Sequence, residues 1–281
     1  MAKKAVLIGV NRYRIPGADL RGCVPDVKNM ANLLQRQYSF ESDDIAVITD
    51  FDATKKAIEE AITGLIRGAG RGDVLLVHFS GHGSNVPDDN GDEADNRDEI
   101  LCPTDLDWYD PLRDDWLRSV FDGLAAGVSL TVITDSCHSG SVTRAVEPPD
   151  APLIERYLPS PWDLAAVESG RSLTGTTRGT LHRAPEAERA TRDIVPVDIP
   201  EVLISGCRAD QTSADAAIGG GFAGALTYNL VEALTESATS LSYRDLHDQT
   251  CEKLKRGRYE QVPQLEGNEA RLGQPFLSPL D

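Results

Sequence analysis

Two residues of this 281-residue chain are placed to do chemistry, a histidine and a cysteine. Val74-Leu75-Leu76-Val77-His78-Phe79-Ser80 runs into Gly81-His82-Gly83-Ser84, and Thr131-Val132-Ile133-Thr134 runs into Asp135-Ser136-Cys137-His138-Ser139-Gly140. Short apolar runs bounded by turn residues read as buried strands. Open α/β sheets place their ligand sites at the carboxyl ends of such strands. If the two strands are parallel neighbours, His82 and Cys137 stand at the same end of the sheet. A thiolate nucleophile would then lie beside an imidazole able to take and return a proton. Cys137 is expected to be presented to solvent by the sheet edge rather than packed inside.

Asp135 adds a charge to this pair. Residues i and i+2 of an extended segment share a face, so its carboxylate should lie beside the Cys137 nucleophile. There it would attract a cationic group and favour Arg or Lys before a cut bond. As a capping or turn carboxylate it would carry no such meaning.

The elements that must position these residues alternate. Ala5 to Val10 reads as a strand, Asp26 to Tyr38 as a helix and Ile45 to Ile48 as a strand. Ala53 to Ile66 reads as a helix with Ala57, Ile58, Ala61, Ile62 and Leu65 on one stripe. Glu99 to Pro103 suggests a short hairpin strand, and Pro111 to Ala126 a helix opened by its proline. Glu201 to Ser205 and Gln261 to Leu265 read as later strands, and Phe222 to Leu234 and Ser242 to Lys255 as helices. Asn85 to Arg97 is acidic and turn-rich, and residues from about 143 to 196 show no sustained period. The expectation is one α/β domain over 1–281. Its mostly parallel, about six-stranded sheet has helices on both faces and a long loop insertion at about 143–196.

Composition removes several classes. Lys and Arg number 28 against 45 Asp and Glu, a net charge of −17, which disfavours nucleic acid and anionic membrane as partners. No stretch nears the ~20 apolar residues of a membrane helix. Met1-Ala2-Lys3-Lys4 leads straight into the first strand without a signal-peptide pattern. The five cysteines are an odd number with no C-x-x-C, which fits neither a disulfide framework nor a zinc site. A reducing cytoplasm is the expected location. Cys23, Cys102, Cys207 and Cys251 read as small buried hydrophobes; His78 reads as packed within its strand, His138 as structural because its side chain should point away from that of Cys137, and His182 and His247 carry no motif.

The His82 block His-Phe-Ser-Gly-His-Gly-Ser and the Cys137 block Asp-Ser-Cys-His-Ser-Gly resemble the signature blocks of metacaspases and their bacterial relatives, the orthocaspases. These are caspase-like cysteine peptidases, and the animal caspase block Gln-Ala-Cys-x-Gly is absent. Gly22-Cys23-Val24-Pro25-Asp26, the block from Ser205 to Ser213, and Gly224-Ala225-Leu226-Thr227-Tyr228 extend the resemblance over most of the chain. It implies a caspase-like fold and an endopeptidase acting on proteins or peptides with Arg or Lys before the cut bond. The implied oxyanion donors are the backbone N–H groups of Cys137 and Gly83, and a side chain at position 83 would crowd the carbonyl. The implied pocket joins Asp26 and Ser80 to Asp135. As a helix-start charge favoured by the dipole, Asp26 would have no pocket role.

The resemblance also points to calcium at Asp98, Asp114 and Asp115. Arg144 stands where a further aspartate would be needed, so no cofactor is assigned as required. The stretch from Thr143 to Val195 follows the nucleophile and carries Arg144, Arg156, Arg171, Arg178, Arg183, Arg189 and Arg192, each a residue an acidic pocket accepts. It is expected to shield the site and to be cut at one or more of them, by the enzyme itself or by another peptidase. Two other readings compete: a non-catalytic caspase-like signalling scaffold, and a nucleotide-binding α/β protein. Gly219-Gly220-Gly221-Phe222-Ala223-Gly224 opens a helix, but a phosphate-binding glycine loop belongs after the first strand.

Overall fold

In the computed structural model, residues 1–89, 97–137, 153–168, 193–208 and 211–280 are described. The first strands read as unbroken apolar runs because both of their faces are covered. Along β1 (Lys3–Gly9), Val6 and Ile8 enter one core, while Ala5 and Leu7 enter the other. Leu75, Val77 and Phe79 of β3 (Val74–Ser80) divide from Val74 and Leu76 in the same way. One core is closed by α2 (Lys55–Arg67) through Ile58, Ile62 and Leu65, and by α3 (Asp114–Phe121) through Leu117 and Phe121. The opposite core is closed by α1 (Cys23–Tyr38), α5 (Ala225–Glu236) and α6 (Tyr243–Arg256). Thr54 and Ser242 cap α2 and α6 by accepting from Ala57 N and Asp245 N.

Seven strands form the central sheet, in the order β2, β1, β3, β7, β10, β13, β9. Its further members are β2 (Ile45–Thr49), β7 (Ser129–Asp135), β9 (Ile194–Pro196), β10 (Glu201–Ser205) and β13 (Gln264–Gly267). The strands from β2 to β10 run parallel, and β13 is antiparallel to β10. The strand beyond the six expected is β9, three residues ending in a proline, too short to carry a period. Two small three-stranded sheets flank the carboxyl end. One holds β4 (Gly83–Pro87), β5 (Arg97–Leu101) and β6 (Leu112–Arg113). The other holds β8 (Ile154–Glu155), β11 (Ala214–Ile218) and β12 (Gly221–Gly224).

Three expectations change. The helix expected over 111–126 is shorter and is preceded by β6. The helix expected from Phe222 begins at Ala225, because Gly219 and Gly220, both at positive φ, turn a hairpin there. The insertion at about 143–196 is not structureless where described: it supplies β8, β9 and α4 (Pro161–Glu168). A short final helix, α7 (Glu269–Leu272), follows β13.

Candidate active site

Register brings the two signature blocks together. β3 and β7 pair in parallel with Ser80 opposite Asp135, and two residues further along each chain lie His82 and Cys137. Tyr13 Oη accepts from His82 N at 2.8 Å, and its ring lies 5.0 Å from the imidazole. His82 Nε2 lies 2.9 Å from Ala18 O. A carbonyl only accepts, so this contact puts the ring proton on Nε2 and leaves Nδ1 as the basic nitrogen. Nδ1 is buried without a hydrogen-bond partner. Burial pushes the His82 pKa down to about 4, so the imidazole is neutral at neutral pH.

The Cys137 thiol is hydrogen-bonded to Ser213 and makes no hydrogen bond to His82 Nδ1. Its Sγ lies 3.6 Å from Ser213 O and 3.9 Å from Cys207 Sγ, and it accepts from Ser213 N. The expectation of a solvent-presented thiol is overturned, since Cys137 is 0% exposed. The sheet edge is covered there by the chain segment around Arg156.

Arg156 is itself 0% exposed, and its guanidinium lies among three carboxylates. Nη2 is 2.8 Å from Asp26 Oδ2 and 3.1 Å from Asp215 Oδ1, and Nη1 is 3.3 Å from Asp135 Oδ2. Nη1 also donates to Ser80 Oγ at 2.8 Å and to Asp135 O at 3.0 Å. Each carboxylate is fixed from behind. Asp135 accepts from Ser213 Oγ, Thr227 Oγ1 and Thr227 N; Asp26 accepts from Ser80 Oγ and Gly224 N; Asp215 accepts from Arg21 N and Gly22 N. A Cβ at Gly224 would strike both Asp135 Oδ2 and the Arg156 guanidinium, so the pocket wall needs glycine. Burial pushes the Asp26 carboxyl up to about 7 against the pull of Arg156. For Arg156, burial acts downward but the carboxylates of Asp135, Asp26 and Asp215 prevail, so its charge is held firmly.

The main chain around Arg156 is bound as closely as its side chain. Arg156 O accepts from Gly83 N at 3.0 Å and from Cys137 N at 3.2 Å, and Arg156 N donates to Ser213 O at 3.0 Å. Before it, Glu155 and Ile154 pair with Ala214 and Asp215. After it, Leu158 N donates to Gly83 O at 3.0 Å and Ser84 Oγ to Leu158 O at 2.5 Å. Tyr157 Oη donates to Asp163 Oδ2 at 2.5 Å and accepts from Asn85 Nδ2 at 3.1 Å. Arg97 pairs with Asp163 at 2.6 Å. An extended strand therefore threads the site, with a cationic side chain among carboxylates and its carbonyl on two N–H groups.

Comparison with known proteins places the chain itself. The profile described as "Metacaspase, peptidase C14 domain" matches residues 3–145. The chain is 34% identical over 290 residues to metacaspase-1A of Aspergillus niger, covering 94% of this chain and 69% of that protein. The chain belongs to the metacaspase family. It is also 34% identical to metacaspase-1 of Yarrowia lipolytica, over 94% of this chain and 61% of that one. A crystal structure of protein GSU0716 from Geobacter sulfurreducens superposes with a TM-score of 0.69 at 26% identity, covering all of both chains. Metacaspases are caspase-like cysteine peptidases, and among the described residues of this one no helix is long and apolar enough to cross a membrane.

The metacaspase pocket holds more than sequence reasoning found. Asp215 escapes the sequence reading because Ala214–Ile218, with three alanines and an aspartate, lacks the β-branched and aromatic composition of a strand signal. Ala18 acts through its carbonyl, which no sequence motif marks. Ser213 closes a quoted block, yet its contact with the thiol depends on the loop fold. Of the seven arginines singled out, Arg156 is described; Arg144, Arg171, Arg178, Arg183, Arg189 and Arg192 lie outside the described residues.

The calcium candidates divide. Asp98 groups with Asp88 and Asp89, whose carboxylate oxygens lie within 4.8 Å of one another. Asp114 and Asp115 instead pair with Arg118 at 3.0 and 3.1 Å. The all-oxygen set and the partnerless Asp98 Oδ1 suit a hard cation. Arg113, however, already pairs with both Asp98 and Asp89.

Proposed function

We propose that this chain is a cysteine endopeptidase that cuts protein and peptide substrates after Arg, and less well after Lys. We further propose that it is made latent by its own 143–196 segment. One observation carries the reading: Arg156 fills the acidic pocket while its carbonyl rests on the N–H groups of Gly83 and Cys137. A bound substrate with Arg before the cut bond would make the same contacts. All the guanidinium hydrogen bonds run through Nη1 and Nη2, and Arg156 Nε has no partner. A lysine ammonium, one atom shorter and a single point charge, would reach fewer of these oxygens.

In the reaction, the Cys137 thiol turns from Ser213 towards His82 and gives its proton to Nδ1. The thiolate attacks the carbonyl carbon, and the two N–H groups hold the oxyanion. His82 returns the proton to the leaving amine, and water then releases the acyl group by the reverse relay. In the intact chain the first bond so presented is Arg156–Tyr157. Its cleavage, by the enzyme itself or by another peptidase, opens the site. The six arginines outside the described residues remain further candidates for processing. The net charge of −17 supports basic substrates and a protein that binds neither nucleic acid nor anionic membrane, and the odd cysteine count supports a reducing cytoplasm. Calcium is not assigned as required, because Arg113 competes for Asp98 and Asp89 and Arg144 stands where a further aspartate would be needed.

The test is to incubate the purified chain with a mixed peptide library and map every new terminus. Cleavage after Arg, with a new amino terminus at Tyr157 in the chain itself, is expected. Cutting after Asp would overturn the pocket reading. An absence of any cutting by chain opened at Arg156 would favour the scaffold reading.

A further inference from the structure

Cys207 has no part in the reaction just described, yet it lies against the nucleophile. It follows β10 as Cys137 follows β7, and these two strands pair in parallel with Ser205 opposite Thr134. Matching ends of neighbouring strands thus bring the two thiols together. Their Sγ atoms are 3.9 Å apart, and both residues are buried, at 0% and 1% exposure. Cys207 Sγ also donates to Gln211 O at 3.2 Å, which fixes its direction. Closing to a disulfide takes about 2 Å of sulfur movement, within reach of side-chain rotation on two short side chains.

We infer that Cys137 and Cys207 form a reversible disulfide under hydroperoxide. The Cys137 thiolate attacks one peroxide oxygen; an S–O bond forms, the O–O bond breaks, and hydroxide or alkoxide leaves. The Cys207 sulfur then attacks the Cys137 sulfur; the S–S bond forms and the S–O bond breaks. The departing hydroxide takes the Cys207 proton and leaves as water. The two thiols are oxidised by two electrons, and one peroxide is reduced. The nucleophile is thereby silenced without passing to the irreversible sulfinic acid, and a dithiol reductant restores it. With the strand from Ile154 to Leu158 in place, Cys137 is covered, so the opened chain is the form that reacts fastest.

The inference rests on the thiol pair and not on peptidase activity, so its primary readout is mass. The chain, intact and nicked by trace trypsin, is treated with hydrogen peroxide, alkylated and digested without reductant. The expected product is a linked pair of peptides carrying Cys137 and Cys207, lost on adding dithiothreitol. Turnover of Arg peptides should fall on the order of tenfold or more and recover with the reductant. Cys207→Ser should keep its reduced activity but lose the recovery, with Cys137 found as sulfinic acid. Sulfinic Cys137 in the wild-type nicked chain with Cys207 still alkylated would overturn the inference. So would peroxide leaving both thiols of the nicked chain alkylatable.

Discussion

At the scale of single residues, the burial of His82 has a measurable cost. Its folded pKa of about 4 lies below the ordinary 6.5. Between these values the unfolded chain binds a proton that the folded chain does not. His82 therefore contributes stability in full above pH 6.5, and that contribution is lost as pH falls through 4. The span of about 2.5 units corresponds to about 3 kcal/mol. Denaturant melts of wild type and His82→Gln should show the wild type losing about that much relative to the variant between pH 7.5 and pH 4. A pH-independent difference would mean that the imidazole is not buried neutral. Cys137→Ala should abolish cleavage of Arg peptides by opened chain, since no other thiol has its backbone N–H on the bound carbonyl. A verified sample retaining a few per cent of activity would sink the nucleophile assignment. Both residues were legible in the sequence because each ends an apolar run. The neutral state of His82 and the burial of the Cys137 thiol against Ser213 were not, because both follow from what covers them.

At the scale of elements, the decisive feature is β8 laid on β11 with Arg156 just beyond. Main-chain bonds on both sides of Arg156 hold the strand whatever its side chains, and the carboxylates fix its register. Tyr157→Pro separates cutting from covering. Tyr157 N carries none of these hydrogen bonds, and a residue before proline favours the extended backbone that a strand needs. The tertiary amide to the proline ring makes the bond resistant, while loss of the phenol's two hydrogen bonds costs about 1 kcal/mol each. The variant should stay uncut at 156 and turn over small Arg peptides roughly tenfold or more below the opened wild type, a drop of at least about 1.4 kcal/mol in transition-state terms. Equal turnover would show that the segment is not a latch. The β4–β5 hairpin makes a second prediction, since Arg113 of β6 ties Asp98 to Asp89. Chelator should leave most activity, and a saturable rise with calcium would return Asp98, Asp114 and Asp115 to the site. The long parallel strands were readable from their apolar runs. The two-residue β8 and the β11–β12 hairpin were not, because pairing rather than composition makes them strands.

At the scale of the whole molecule, the order of the strands matters more than their number. The proposed cut after Arg156 divides the central sheet between two pieces of chain. β2, β1, β3 and β7 fall in one, and β10, β13 and β9 in the other. The seam is the five-residue β7–β10 pairing, with Val132 and Ile133 beside Leu203 and Ile204. The pieces should therefore co-elute as one particle and part only in denaturant. What changes is the order of the folding reaction. The intact chain brings both halves together at the high effective concentration of a tether; once cut, they must find each other in solution. Diluted from denaturant, intact chain should regain native signal at a rate independent of protein concentration. Cut chain should regain it at a rate proportional to concentration, with a yield that falls on dilution. A concentration-independent recovery of the cut chain would show that one half holds the fold alone. The segment that blocks the site is thus also the link that makes assembly unimolecular, and a molecule that has lost it keeps its shape by kinetic memory, unable to rebuild it if once unfolded in dilute solution.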